Sequence, residues 1–323
     1  MGEILENLLS AVGVAKWVVL GIIIVYAIFL FVNAFVKTKR MFANPNSGKV
    51  QKIWANFHTH TTFCDGKNTP EEMVEAAINS NMSALGFSGH SHLPTEPDWT
   101  MSEEGTKEYK ETVLALREKY KGQIEILLGI EQDYWSKTDD LSDYDFVIGS
   151  VHSIFEKDIT NSAVDGARNS FNYAVDNYFG GDRMAAAERY FELVGDLFER
   201  THCDIIGHFD LITKYNEKYI KEKGEPFIDS ENPRFIEAER KALEKLVATP
   251  VIFEINTGGM GRGFRSTPYP SERVMAFLSK HQTPVILASD AHKTDTLTSG
   301  FDTALTYVEK YNLNLVDTPR IEK

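Results

Sequence analysis

The chain has 323 residues with 47 acidic and 34 basic side chains, a formal net charge of −13, and 42% hydrophobic and 25% charged residues. That balance belongs to a globular protein rather than a disordered one, with length for one large domain or two ordinary ones. The acidic excess argues against a nucleic-acid partner, whose phosphates need concentrated Lys and Arg, and two cysteines, Cys64 and Cys203, make neither a disulfide framework nor a metal ribbon, so a reducing compartment is expected.

In chain order, the first feature is WVVLGIIIVYAIFLFVNAFV, the 20 residues from Trp17 to Val36, in which Asn33 is the one strongly polar member. This is the length a helix needs to cross a bilayer. Glu3 and Glu6 precede the run and no clear small-residue cleavage site follows, so it reads as an uncleaved transmembrane helix rather than a signal peptide. Lys37, Lys39 and Arg40 follow at once, which by the positive-inside bias places the large carboxy-terminal part in the cytoplasm, with the membrane as a partner of the amino terminus. Residues 41–52, MFANPNSGKVQK, read as a linker. Three parts result: an amino-terminal segment 1–40, the linker 41–52 and a domain 53–323.

Beyond the linker, short apolar runs alternate with helix-like stretches. KIWANFHTH, SALGFSGHSH, IEILLGIEQDY, DYDFVIGSVHS, CDIIGHFD, TPVIFEINTGG and TPVILASDAH are strand candidates. Between them, EEMVEAAINSNM follows Thr69-Pro70, a capped start with proline at the first position, and ETVLALREKY and AAAERYFELVGDLFER have similar helical character. Such alternation implies a parallel sheet, and seven consecutive units predict a closed or nearly closed α/β barrel.

His58-Thr59-His60 ends the first of these strands. Residues i and i+2 of a strand share a face, so both imidazoles can reach one ion, but a pair of this kind often occurs by chance. Recurrence decides the matter. Six strands end in a residue that binds metal well: His58 and His60, then His90, Glu131, His152, His208, and finally Asp290 with His292. In a barrel these ends face one mouth, so residues far apart in sequence converge. Six of the nine histidines fall at strand ends, whereas His92, His202 and His281 have no such place and read as surface or structural residues. Cys64, close after the first pair, reads as a small half-buried cysteine.

HTHTTFCDG, GFSGHS, GIEQDY, GSVH, IIGHFDLI, FEINTGG, RGFRSTPYPS and ASDAH, in this order over about residues 53–320, resemble the PHP superfamily (polymerase and histidinol phosphatase), in particular its monofunctional histidinol-phosphatase branch. The resemblance implies a distorted (βα)7 TIM-like barrel with a trinuclear centre of Zn, Mn or Fe. It assigns His58, His60, Glu131 and Asp290 to one metal, Glu131, His152 and His208 to a second with Glu131 bridging, and His90, His292 and Asp65 to the third. The amino-terminal span lies outside the family pattern. SGH at 88–90 replaces the usual SDH, so Gly89 lacks a carboxylate of the kind that orients a ligand imidazole.

Clustered divalent ions lower the pKa of bound water and hold the attacking and leaving oxygens of a displacement at phosphorus, so a small phosphomonoester is the natural substrate. TGGMGRGFRSTPYP places Arg262 and Arg265 in a glycine-rich loop after the Glu254 strand, where guanidinium groups can receive phosphate oxygens. Arg262 is the first choice, and Lys214 a weaker candidate of the same kind. Glu131, Asp290 and Arg262 are the expected catalytic residues. The expected reaction is hydrolysis of L-histidinol phosphate to L-histidinol and phosphate in histidine biosynthesis. The alternatives are another small phosphomonoester or phosphotyrosine, and, in a different class, a membrane-tethered metal-binding module without turnover.

Overall fold

Eight parallel strands follow one another round a single sheet in chain order. They are β1 (Ala55–Asn56), β2 (Ala84–Phe87), β3 (Glu125–Asp133), β4 (Phe146–Ser150), β5 (Ile205–Ile206), β6 (Ile252–Asn256), β7 (Pro284–Ala288) and β8 (Asn314–Leu315). The computed structural model describes residues 54–96, 98–137, 140–166 and 168–320. The expected membrane helix 17–36 and linker 41–52 lie outside the described residues, and among these no helix is long and apolar enough to cross a membrane.

The helices are α1 (Pro70–Asn79), α2 (Glu103–Lys119), α3 (Arg168–Tyr178), α4 (Arg183–Gly195), α5 (Leu197–Thr201), α6 (Asn216–Lys223), α7 (Pro233–Leu246), α8 (Gly258–Gly261), α9 (Glu272–His281) and α10 (Phe301–Tyr311). α1 starts as its sequence dictates: the Thr69 hydroxyl accepts from the Glu72 amide, the Glu72 carboxylate accepts from the Thr69 amide, and Pro70 opens the first turn. ETVLALREKY lies mostly within α2. AAAERYFELVGDLFER, expected as one helix, is divided at Asp196 into α4 and α5.

All seven expected strands are present, and the sheet approaches closure at their carboxy ends. Thr59 and Ala291 form a parallel bridge, with the His60 amide donating to Ala291 O at 2.8 Å and the Ala291 amide donating to His58 O at 3.1 Å. β8 is an addition to the expected seven, pairing with the amino end of β7. Its two residues are exposed and carry no alternating apolar pattern, so nothing local marks it.

The interior of the sheet is filled by Phe57, Ala84, Phe146, Ile148, Ile205, Ile252 and Ile286, one buried cluster contributed by successive strands. Phe146 needs glycine on its neighbours, since a Cβ at Gly129 would lie 2.3 Å from its ring and one at Gly86 would lie 2.8 Å away. Gly129→Ala is therefore expected to destabilise the domain by about 1–3 kcal/mol, seen as a lower urea midpoint. Phe146→Leu in the same chain should restore part of the loss. An unchanged midpoint in Gly129→Ala would show that the ring can move aside.

Candidate metal centre

Strand periodicity turns this apolar floor into a polar mouth. On β6, Ile252, Glu254 and Asn256 share a face, and on β4 Phe146 and Ile148 are followed at the same spacing by Ser150 and then His152. Glu131, on the nine-residue β3, is buried at the centre of the mouth. Its Oε2 lies 3.2 Å from His58 Nε2 and 3.4 Å from His60 Nε2, and Asp290 Oδ1 lies 3.2 Å from His60 Nε2 and 3.7 Å from His58 Nε2. The other oxygen, Oε1, is 3.0 Å from His208 Nε2 and 3.5 Å from His152 Nε2, and accepts from Ser150 Oγ at 2.6 Å. Asp65 Oδ2 is 3.1 Å from His292 Nε2, and its Oδ1 is 3.7 Å from His90 Nε2. Every expected ligand is thus in the cluster.

These donors fit metal ions. His58 Nε2, His60 Nε2, Asp65 Oδ1 and Glu131 Oε2 are buried and, although they crowd one another and His90, none is aligned for a hydrogen bond, a costly arrangement for side chains left to themselves. Tetrahedral ligation at about 2.0–2.2 Å puts neighbouring donor atoms roughly 3.3 Å apart, close to the spacings around His58, His60, Glu131 and Asp290. Three placements differ from the expected division into three. His60 also groups with Asp65, His90 and His292; His90 Nδ1 reaches Glu131 Oε2 at 2.9 Å and groups with His152; and His208 groups with Glu131 and His58, where the expected second set joined it with His152. Asp290 itself has a left-handed backbone, φ +49°, which aspartate tolerates and which carries its side chain off the end of β7.

Two supporting carboxylates stand outside the strand-end pattern. Glu254 Oε1 is 2.6 Å from His58 Nδ1, while its Oε2 accepts from the His208 amide at 2.9 Å. Asp133 Oδ2 is 3.0 Å from His152 Nδ1. Such partners orient the rings and raise their basicity. The available signals were an acid inside the apolar run VIFEIN and a second acid two residues beyond Glu131. At Gly89 the immediate surroundings are apolar: a Cβ there would meet Met101 Sδ at 3.3 Å and Cys64 Sγ at 3.6 Å.

The charges oppose one another in this cluster. Burial disfavours the charged form of His58, yet Glu254, Glu131 and Asp290 hold its pKa above the ordinary histidine value. His152 is likewise raised, to about 9, because Glu131 and the hydrogen bond to Asp133 outweigh burial. His60 goes the other way, to about 3, through burial and its neighbours His292 and His90. Glu131 and Asp290 stay well below the usual carboxylate range despite burial, Glu131 through the surrounding histidines and Asp290 chiefly through Arg262 and His58. Burial pushes the Cys64 thiol up to about 11, so it stays neutral beside His60 Nδ1, 3.5 Å away.

A pH dependence follows. An unfolded histidine titrates near ~6.5. Stability from the His152 imidazolium is therefore complete below that value and lost as pH rises through about 9, and His58 acts in the same direction. Chelator-stripped protein should show a Tm that falls between pH ~6.5 and ~9, whereas in metal-loaded protein the ion takes the place of the proton and the fall should disappear. Parallel Tm curves for the two forms would contradict this.

Around the centre lies a cleft of about 880 Å³ lined by ligand residues and by Trp99, Lys214 and Arg262 among others. Arg262 donates to Asp290 Oδ2 at 2.7 Å and to Asp290 O at 3.1 Å. Lys214 is buried rather than an exposed loop residue, and donates to Asp165 O at 2.8 Å and Oδ2 at 3.2 Å. Arg265 does not line the cleft: its guanidinium stacks 4.1 Å from the Tyr269 ring centre and donates to Thr213 Oγ1 at 2.6 Å. These contacts clasp two loops together. His92 bonds Met101 O, His202 follows α5 in the left-handed region and His281 stacks on Phe277, all apart from the cluster.

Residues 56–258 match the PHP domain family. The chain is 26% identical over 246 residues to a "Probable histidinol-phosphatase" of Deinococcus radiodurans, covering 73% of this chain and 85% of that one. It is 24% identical over 258 residues to the histidinol-phosphatase of Bacillus subtilis, covering 73% and 92%. The fold is similar, with a TM-score of 0.58 at 20% identity over 83% of this chain and 98% of the other, to the crystal structure of histidinol phosphate phosphatase from Lactococcus lactis in complex with Zn, L-histidinol and phosphate.

Proposed function

The chain belongs to the PHP domain family, and on that premise we propose that it is a metal-dependent phosphomonoesterase that hydrolyses L-histidinol phosphate to L-histidinol and phosphate. One observation carries the chemistry: the two oxygens of buried Glu131 face different sets of histidines, His58 and His60 on one side and His152 and His208 on the other. A carboxylate so placed could hold one ion on each side. The relatives named histidinol-phosphatase match this chain over most of their own length, which supports the substrate.

His58, His60, Glu131 and Asp290 would hold one divalent ion, Glu131, His152 and His208 a second, and Asp65, His90 and His292 a third. Bound there, Zn, Mn or Fe supplies Lewis-acid activation of water and neutralises charge at phosphorus. Glu254 and Asp133 keep the His58 and His152 rings turned toward the ions. Arg262, anchored through Asp290, keeps further N–H donors for phosphate oxygens at the cleft wall. Lys214, neutralised by Asp165, is a secondary phosphate contact. The apolar run 17–36, with its trailing basic residues, anchors this domain to a membrane with the cleft in the cytoplasm.

The test is phosphate release by purified full-length protein from L-histidinol phosphate, phosphotyrosine and glycerol phosphate, with metal content measured on the same sample. L-histidinol phosphate should have the highest kcat/KM, and chelation should abolish turnover. A preference for phosphotyrosine would change the substrate. No release from any ester by metal-loaded protein would leave a binding module.

A further inference from the structure

We propose that Glu96, held by Trp99 and Thr160, is the subsite that receives a cationic nitrogen of the substrate, an ammonium or imidazolium carried by the phosphomonoester; this rests on the phosphatase reading above. Glu96 lies in the loop after β2, lines the cleft and is only 9% exposed. Its Oε2 accepts from Trp99 Nε1 at 2.9 Å and its Oε1 from Thr160 Oγ1 at 2.5 Å. Both donors are neutral. Among the described residues no Lys, Arg or His forms an ion pair with it.

A buried carboxylate fixed by neutral donors retains an uncompensated charge, which is costly until a cation arrives. The other carboxylates of the cleft have employment or exposure. Asp65, Glu131 and Asp290 belong to the metal centre, Asp165 pairs with Lys214, and Asp295 is exposed. Glu96 is left.

Its position suits a substrate with charge at both ends. Trp99 stands edge-on to His90 and His152, with ring centres 4.9 and 5.5 Å apart, whereas Arg262 contacts Asp290 and His292. Both walls therefore adjoin the metal centre, one offering a guanidinium for the phosphate and the other a carboxylate. A centre of divalent ions repels any cation brought beside it, so a substrate carrying an ammonium needs a separate anion to hold that end. The half-buried Trp99 ring adds an aromatic surface of the kind that attracts cations.

The experiment compares wild type and Glu96→Gln on four esters: L-histidinol phosphate, its analogue without the amino group, O-phosphoethanolamine and 2-hydroxyethyl phosphate. L-histidinol binding is measured by calorimetry alongside. Glu96→Gln should lower kcat/KM for cation-bearing esters by roughly 10- to 100-fold, the range for hydrogen bonds to charged groups, and weaken L-histidinol binding similarly. 2-Hydroxyethyl phosphate should change little. Loss on O-phosphoethanolamine but not on the des-amino analogue assigns the ammonium, and the reverse assigns the imidazole. Equal losses on all four esters would mean that Glu96 only supports Trp99, and unchanged L-histidinol binding would also overturn the proposal. Should wild type hydrolyse no ester, the phosphatase reading fails and L-histidinol binding alone decides Glu96: weaker binding to the variant supports it, and equal or absent binding to both proteins overturns it.

Discussion

Glu131→Gln is expected to lose metal from two positions at once and to lower turnover by roughly 10³-fold or more, the rate equivalent of several kcal/mol of charge stabilisation. The amide keeps the shape of the side chain but neutralises the charge that lies 3.2 Å from His58 Nε2 and 3.0 Å from His208 Nε2. The fold should survive, because the cluster beneath it, Phe146, Ile148, Ile252 and Ile286 among others, is apolar and needs no metal. Metal analysis, circular dichroism and phosphate release on one preparation test the three parts. Loss of one equivalent or fewer with normal activity would remove the bridging role.

Arg262→Ala should lower kcat/KM by roughly 10²-fold while metal content stays unchanged, since a preorganised charged donor in a water-excluded site is worth about 3 kcal/mol. The contact with Asp290 sharpens this expectation. Arg262 holds Asp290 Oδ2, whereas Oδ1 faces the histidines, so removing the guanidinium leaves the metal-facing oxygen in place. Arg262→Lys should recover only part of the loss, because an ammonium cannot reproduce the planar fork. Metal lost in step with activity would show that Arg262 acts through Asp290 rather than on the phosphate. Full activity in Arg262→Ala would move the role to Lys214 or Arg265.

Local rules were enough to read the strand-helix alternation and the candidate metal ligands at strand ends, because β-periodicity and turn residues operate over a few neighbours. His58, His60, His90, Glu131, His152, His208, Asp290 and His292 were legible for that reason, and one parallel sheet then brought their ends together. What lay beyond local rules needed the tertiary packing. Arg262, Arg265 and Lys214 look alike as basic residues in loops, yet one faces the cleft beside Asp290, one clasps Thr213 and one is buried on Asp165. Glu254 supports His58 only because β6 and the end of β1 face each other across the sheet, with 196 residues between them in sequence. Glu96 and Thr160 belong to different loops, 64 residues apart, and meet over the same mouth. β8 exists through pairing with β7 alone, its own two residues having no apolar face to announce it. Sequence thus determined which residue types stand at the mouth. Tertiary structure decided which atoms face one another there, since hydrogen bonds and charge act over a few ångströms of space regardless of separation along the chain.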